Sequence, residues 1–476
     1  MIHNALFLDF YELTMAQGYY KTGRRERTVF DMFFRRQPFN GGYSIFAGLN
    51  PLLEAIMNFR FGEDDIAYLK STGIFDAEFL NYLSKFRFSG TVLAMDEGSV
   101  VFPNEPLIRV EADIIESLLL EGLILNTVNF QSLIATKTAR IWLASNKSSI
   151  MEFGLRRAQG CDGAMSATRA AIIGGAAGTS NTLAAKLYGV PAMGTMAHAW
   201  VMSFDTEEEA FQTYADTYGE KSVFLIDTYN TLESGIENAI KVGKRLKAEG
   251  KNFGIRLDSG DIQYLSTEVR KRLDAAGLPN AKITVSNELT EEIIESLLMH
   301  KAPIDGWGVG THMVTGGNES SFTGVYKLAA YEQNNAWVPV MKLSDNPAKT
   351  TNPAVKQVWR LYNTDGSFKA DVIGVEDEII EEGVRYKYIH PFNDYQTFSF
   401  AAKKVEPLLK PKIKDGSLLV KLEDLPTIHK RMAEQLEHLD PTSKRLLNPH
   451  IYKVSLTENL QKIKQELILK GAWNKS

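Results

Sequence analysis

Residues 252–261 read NFGIRLDSGD, an apolar run that ends in Arg256, Asp258, Ser259, Gly260 and Asp261. A strand entering a core rarely tolerates arginine and aspartate unless they are paired or bind something. Five other short apolar runs between residues 148 and 310 end in polar clusters of the same kind. The predicted strands are 148–153, 191–196, 222–226, 253–257, 282–285 and 304–309, with amphipathic helical stretches between them. One such stretch, 231–248, starts with Asn230 and Glu233 in capping-box spacing and stops at Gly250. Strand–helix alternation at about thirty residues implies parallel βαβ units. The expected fold is therefore an α/β barrel with its active site where the strands end. Six strands are fewer than the eight of a full barrel, so the expected barrel is incomplete or has members outside this reading.

Outward from the barrel, residues 5–20 have helical spacing, with Leu6, Phe10, Leu13 and Met15 as apolar positions. Residues 29–34 are β-rich but alternate poorly, and 111–144 is a long apolar helical region. After residue 324 the pattern turns to antiparallel β, with Asp365-Gly366 as a hairpin turn. The expected division is 1–144 (N-terminal α/β sandwich and helical region), 145–323 (barrel), 324–410 (β-rich) and 411–476 (helical C-terminal tail).

The chain has 476 residues, 44% of them hydrophobic, as befits a globular enzyme. A net charge of −5 argues against a nucleic-acid scaffold but not against a local cationic pocket. Cys161 is the only cysteine, which excludes an internal disulfide and a multi-cysteine zinc site and fits a cytoplasmic setting. The start, MIHNALFLDFYELTMAQ, lacks the basic and apolar regions of a signal peptide. The longest charge-free runs, 122–136, 170–185 and 188–204, are short for a membrane span, so no membrane partner is expected.

Each cluster admits more than one reading. Arg156 and Arg157 beside Phe153 could bind a phosphate and stack on a flat ring, or simply start a helix. His198, among small residues, could be a general base, a metal ligand, a phosphoryl acceptor or a satisfied core histidine. Asp227 suits a ribose hydroxyl or a metal, and Asn230 a helix cap. In the Gly306–Thr311 stretch, glycines let backbone N–H groups converge on one anion, but Met313 stands where a dinucleotide fingerprint needs a third glycine. Thr179 and Ser180 follow a small-residue stretch that packs a helix or meets a ligand. Together the clusters suit a phosphorylated sugar plus a small aromatic acid.

The segments DFYELTMAQGYY (9–20), EFGLRRAQG (152–160), GTMAHAW (194–200), FLIDTYNT (224–231), IRLDSGD (255–261), GWGVGTHMVTG (306–316) and KRLLNPHIYKVSL (444–456) resemble, in order, those of the nicotinate phosphoribosyltransferase family. The resemblance implies an irregular α/β barrel beside an α/β sandwich, assembled as a homodimer with shared active sites. It implies formation of nicotinate mononucleotide from nicotinate and phosphoribosyl pyrophosphate, with ATP hydrolysis coupled to it and Mg²⁺ accompanying the phosphates. His198 resembles the family's phosphorylated histidine, Phe153 one face of the pyridine slot, and Tyr11 the other face, contributed by a partner subunit. Arg256 is similar to the cation that meets the nicotinate carboxylate, and Arg156 is expected near the phosphates or the ring. Asp258 resembles the acid on the ribose hydroxyls, and Gly308, Gly310 and Thr311 the 5′-phosphate cradle. Asp227 is expected to support His198 or the ribose and metal region, Lys137 and Arg140 to meet pyrophosphate, and Asp261 to serve as a metal or supporting acid. The related nicotinamide enzymes carry an aspartate where this chain has Ser180; an aspartate would repel a carboxylate, so Ser180 favours the acid. Two other classes compete. A sugar-phosphate lyase would want a strand-end lysine, which none of the six predicted strands has. A binding-only sensor would not need both His198 and the Arg256–Asp261 cluster.

Overall fold

The computed structural model describes residues 5–343 and 349–473, so the first residues of the N-terminal stretch and the last of the tail lie outside the described residues. The chain divides into two compact units, 1–133 with 321–476, and 134–320.

The first unit holds two large sheets. One has seven strands in the order Ala336–Pro339, Gly324–Gln333, Arg27–Phe34, Ile108–Asp113, Thr91–Ala94, Lys410–Lys414 and Ser417–Leu418. Arg27–Phe34 pairs antiparallel with Gly324–Gln333 on one side and Ile108–Asp113 on the other. Every residue of that strand after Arg27 is buried, which explains why it does not alternate: both faces are covered. The second sheet has six strands in the order Thr397–Ala401, Arg385–Ile389, Val454–Thr457, Phe368–Val375, Lys356–Tyr362 and Lys404–Pro407. Lys356–Tyr362 and Phe368–Val375 form the expected hairpin, with Gly366 at φ 83 in its turn.

Two expectations fail in this unit. The tail after residue 411 is not all helix. Helices Leu425–His438 and Glu458–Trp473 flank Val454–Thr457, a strand inserted between Phe368–Val375 and Arg385–Ile389. The first helix spans Phe10–Lys21 rather than starting at residue 5, and it buries Glu12, Leu13 and Ala16. Of the apolar positions named from the sequence, Phe10 and Met15 are exposed.

The second unit contains a six-stranded sheet in which every pairing is parallel. In hydrogen-bonded order its strands are Gly178–Thr179, Ser149–Glu152, Gly306–Val309, Lys282–Val285, Gly254–Leu257 and Val223–Leu225. The first strand in sequence thus lies beside the last, as in a barrel, and the cycle is broken only between Gly178–Thr179 and Val223–Leu225. The predicted strand at 191–196 did not form. Only Ala192 makes a bridge, to Thr179, and the strand at that position in the cycle is Gly178–Thr179. Pro191 has no N–H to give a ladder, which disfavours a regular strand there.

Asn230 caps the next helix through hydrogen bonds from Leu232 N (3.1 Å) and Glu233 N (3.0 Å). The helix begins with a π-turn, Thr231–Gly235, and continues as Ile236–Ala248. A Cβ at Gly235 would lie 1.9 Å from the Ile226 carbonyl oxygen, so only glycine lets the helix approach the strand end this closely. Among the described residues one helical stretch, Ile114–Ala144, is long and apolar enough to cross a membrane, and 61% of its most apolar window is buried in the protein.

Candidate active site

Because the six strands run parallel, their C-terminal ends lie on one side, and the residues following them converge. They line a cavity of about 450 Å³, a size suited to a small ligand. Phe153, Arg156 and Arg157 come from the first strand end, Ser180 from the second, and Arg256 and Asp258 from the fourth. Ser286, Asn287 and Glu288 follow the fifth, while Gly308, Gly310 and Thr311 belong to the sixth. Gly194–Ala197 complete the wall from the segment that bridges the break in the cycle.

Glu152 organises the first strand end. It is fully buried, and its carboxylate accepts hydrogen bonds from Gly154 N, from Thr168 Oγ1 at 2.9 Å and from Thr179 Oγ1 at 2.5 Å. A charge this deep needs such partners. They fix the turn that presents Phe153, whose own N–H donates to the Val309 carbonyl at 2.8 Å. The Phe153 ring lies over Gly308; a Cβ there would come within 2.7 and 2.8 Å of ring carbons. Gly308 therefore makes room for an aromatic wall, besides any role toward an anion.

Arg256 reaches the cavity with its donors incompletely satisfied. Nη1 donates to Thr195 Oγ1, while Nε is buried without a partner. Burial lowers its pKa, Asp258 and Asp227 push it back up, and the nearby Arg156 adds to the lowering. Leaving such a donor unmet costs about 1–3 kcal/mol, which an incoming anion would recover. Asp258 Oδ1 accepts from Ser286 Oγ, and its Oδ2 lies 3.8 Å from His198 Nε2. Asp227 Oδ2 accepts from Asp258 N at 3.0 Å and Ser259 Oγ at 2.5 Å, but its Oδ1 is buried and unpartnered. His198 begins the short helix His198–Met202, and its Nδ1 lies 3.1 Å from Thr228 Oγ1.

Eight of the predicted site residues thus share one cavity: Phe153, Arg156, Ser180, Arg256, Asp258, Gly308, Gly310 and Thr311. His198 and Asp227 adjoin it through Asp258. Asp227 braces Asp258 rather than His198, whose neighbour is Thr228. Thr179 is buried against Glu152 and does not line the cavity. Lys137 and Arg140 are buried as well, clamped to Glu291 at 2.5 and 2.8 Å, so both cations already hold a carboxylate. That pairing holds the Glu291 carboxyl below its usual range despite its burial. Asp261 is exposed and caps helix Ile262–Ala275 by accepting from Tyr264 N at 3.0 Å. Among the described residues no group of three or more His, Cys, Asp or Glu side chains is arranged to hold a metal ion. Tyr11 belongs to the first unit and is exposed.

Sequence reasoning passed over Glu152, Thr195 and Glu291. The signal for Glu152 was an acid at the last position of a buried strand. Glu291 lies 154 residues from Lys137, and no local pattern links the two.

Three family models match in succession: the nicotinate phosphoribosyltransferase N-terminal domain over residues 6–129, the nicotinate phosphoribosyltransferase family over 148–388, and its C-terminal domain over 355–464. The nicotinate phosphoribosyltransferase of Bacillus subtilis (strain 168) is 40% identical, over 98% of this chain and 95% of that protein. The chain belongs to the nicotinate phosphoribosyltransferase family. The human nicotinic acid phosphoribosyltransferase crystal structure superposes with a TM-score of 0.86 at 31% identity, covering 97% of this chain and 99% of that one. A nicotinate-nucleotide pyrophosphorylase from Pyrococcus furiosus shares the fold at 23% identity, with a TM-score of 0.71 over 90% of this chain and 94% of that one. Family membership gives the strand-end cluster its context, and every residue of that cluster lies in the stretch matched by the family model.

Proposed function

We propose that this chain forms nicotinate mononucleotide and pyrophosphate from nicotinate and 5-phosphoribosyl 1-pyrophosphate, coupled to ATP hydrolysis, in NAD biosynthesis. The observation that carries the reading is Arg256, its buried Nε without a partner, lining one cavity with Phe153. A flat ring bearing a carboxylate satisfies both at once. The names of the family relatives point to the same reaction.

The chemistry follows from the residues. As the bond from ribose C1 to pyrophosphate breaks, C1 gains positive charge and the leaving group negative charge. Asp258 faces the ribose hydroxyls and the cationic carbon, while Arg156 and Arg157, with no carboxylate partner among the described residues, face the leaving group. The pyridine nitrogen then donates its lone pair to C1. It has no proton to lose, so no general base is required. Phe153 stacks the ring and Arg256 anchors its carboxylate, holding the nitrogen in line. Asp227, with its unpartnered Oδ1, and Asp258 are the residues that would help hold a Mg²⁺ brought by the phosphates, which would further neutralise the leaving group.

His198 is left for ATP. With Nδ1 directed to Thr228, Nε2 is the nitrogen positioned to attack the terminal phosphorus, forming an N–P bond as the P–O bond to ADP breaks. His198→Asn is expected to abolish the stimulation of synthesis by ATP while slow basal synthesis persists. Initial rates with and without ATP check this; stimulation equal to that of the parent protein would remove His198 from the coupling step.

The assignment of Tyr11 to a partner subunit draws support from four large apolar side chains, Phe7, Phe10, Tyr11 and Met15, that are exposed close together in sequence near the start of the chain. Monomeric proteins seldom leave a large apolar patch uncovered. Sedimentation is expected to show a dimer, dissociated by Phe10→Glu with Tyr11→Glu; a monomeric parent protein at micromolar concentration would refute the shared site.

A further inference from the structure

Glu288 meets Thr311, a residue expected from the sequence to belong to a phosphate cradle. Its Oε1 accepts a hydrogen bond from Thr311 Oγ1 at 3.3 Å, and its Oε2 lies 3.3 Å from His312 Nε2. The strands Lys282–Val285 and Gly306–Val309 are parallel neighbours, so the loops leaving them emerge side by side. Glu288 therefore projects into the same cavity that Gly308, Gly310 and Thr311 line. The Thr311 hydroxyl and the imidazole of His312, which adjoins Thr311 but does not line the cavity, both meet a carboxylate of the protein itself.

A phosphate dianion and the Glu288 carboxylate cannot share Thr311 and His312 without like-charge repulsion at close range. One must yield. The Glu288 side chain is 61% exposed, so moving it into water buries no charge and breaks only two long contacts. Asn287, at φ 110, holds the loop tip in a region that side-chain-bearing residues rarely adopt, as functional loops often do.

We propose that Glu288 is a resident competitor for the phosphate subsite, a specificity-determining residue that keeps weakly held anions out. Free inorganic phosphate offers no contact beyond the cradle to offset the repulsion. Phosphoribosyl pyrophosphate does, through its ribose at Asp258 and its pyrophosphate at Arg156 and Arg157, and so it displaces the carboxylate. This inference rests on the reading of Gly308, Gly310 and Thr311 as the phosphate cradle.

Calorimetric titration of the full chain with inorganic phosphate, and separately with phosphoribosyl pyrophosphate, distinguishes the two ideas. Glu288→Gln keeps the shape and the acceptor for Thr311 but removes the charge. It is expected to tighten inorganic phosphate binding by about ten-fold, to lower KM for phosphoribosyl pyrophosphate and to narrow the preference between them. A gain in affinity cannot arise from damage to the fold. Unchanged or weaker phosphate binding in Glu288→Gln would overturn the competitor role. Thr311→Val tests the cradle itself: if it binds both ligands as tightly as the parent protein, the phosphate reading of Gly308–Thr311 fails, whatever Glu288 does.

Discussion

Arg256→Ala is expected to lower kcat/KM for nicotinate by roughly a hundred- to a thousand-fold, about 2.7–4 kcal/mol of lost stabilisation. The magnitude follows from the environment. The guanidinium is largely buried, Arg156 repels it, and among the described residues only Thr195 bonds it. Its remaining donors await a carboxylate, and a charge-assisted pair formed away from water is strong. The same variant is expected to change the use of nicotinamide, which carries no charge for Arg256 to meet, by less than about ten-fold. Steady-state assays with each base measure the difference. Equal losses for both bases would mean that Arg256 supports the cavity without reading the carboxylate.

The second large effect concerns stability. Arg360 and Asp371 stand directly opposite each other in the hairpin of the first unit, and both are completely buried. The pair is bidentate, at 2.9 and 2.6 Å. Arg360 also donates to Gln435 Oε1 (3.0 Å) and the Val100 carbonyl (2.8 Å) and lies over the Phe368 ring, while Tyr452 donates to Asp371 at 3.0 Å. Burial works against the arginine's charge, yet Asp371 raises its pKa overall. Arg360→Ala strands a buried carboxylate and is expected to destabilise the first unit by about 3–5 kcal/mol. Arg360→Met combined with Asp371→Leu removes both charges and should regain most of that loss, since a well-packed apolar pair is often as stable as a buried ion pair. Denaturant unfolding of the two variants measures both quantities. A loss below about 1 kcal/mol for Arg360→Ala would show that the pair is dispensable.

The parallel βα unit was legible because its strands are short apolar runs with polar residues at one end. In a parallel sheet those ends share a side, so the clusters around Phe153, Arg256 and Gly308 had to meet. Where two readings competed locally, the sequence misled. Residues 191–196 are apolar, but Pro191 interrupts a ladder, and the strand formed instead from Gly178–Thr179, too short to show a period. Val454–Thr457 is hidden between two helices, and its pairing with Phe368–Val375 is a long-range event. The same holds at the site. Lys137 and Arg140 look like anion ligands until Glu291, far along the chain, is found between them. Glu288 meets Thr311 and His312 only through the pairing of the two strands that precede them, which no local pattern announces.

The most direct test of the proposed function is product formation by the purified chain. Mixed with nicotinate, phosphoribosyl pyrophosphate, ATP and Mg²⁺, it is expected to yield nicotinate mononucleotide, detected by mass, with one pyrophosphate per nucleotide and far less product when nicotinamide replaces nicotinate. No nucleotide under any ATP condition, or a preference for nicotinamide, would contradict it.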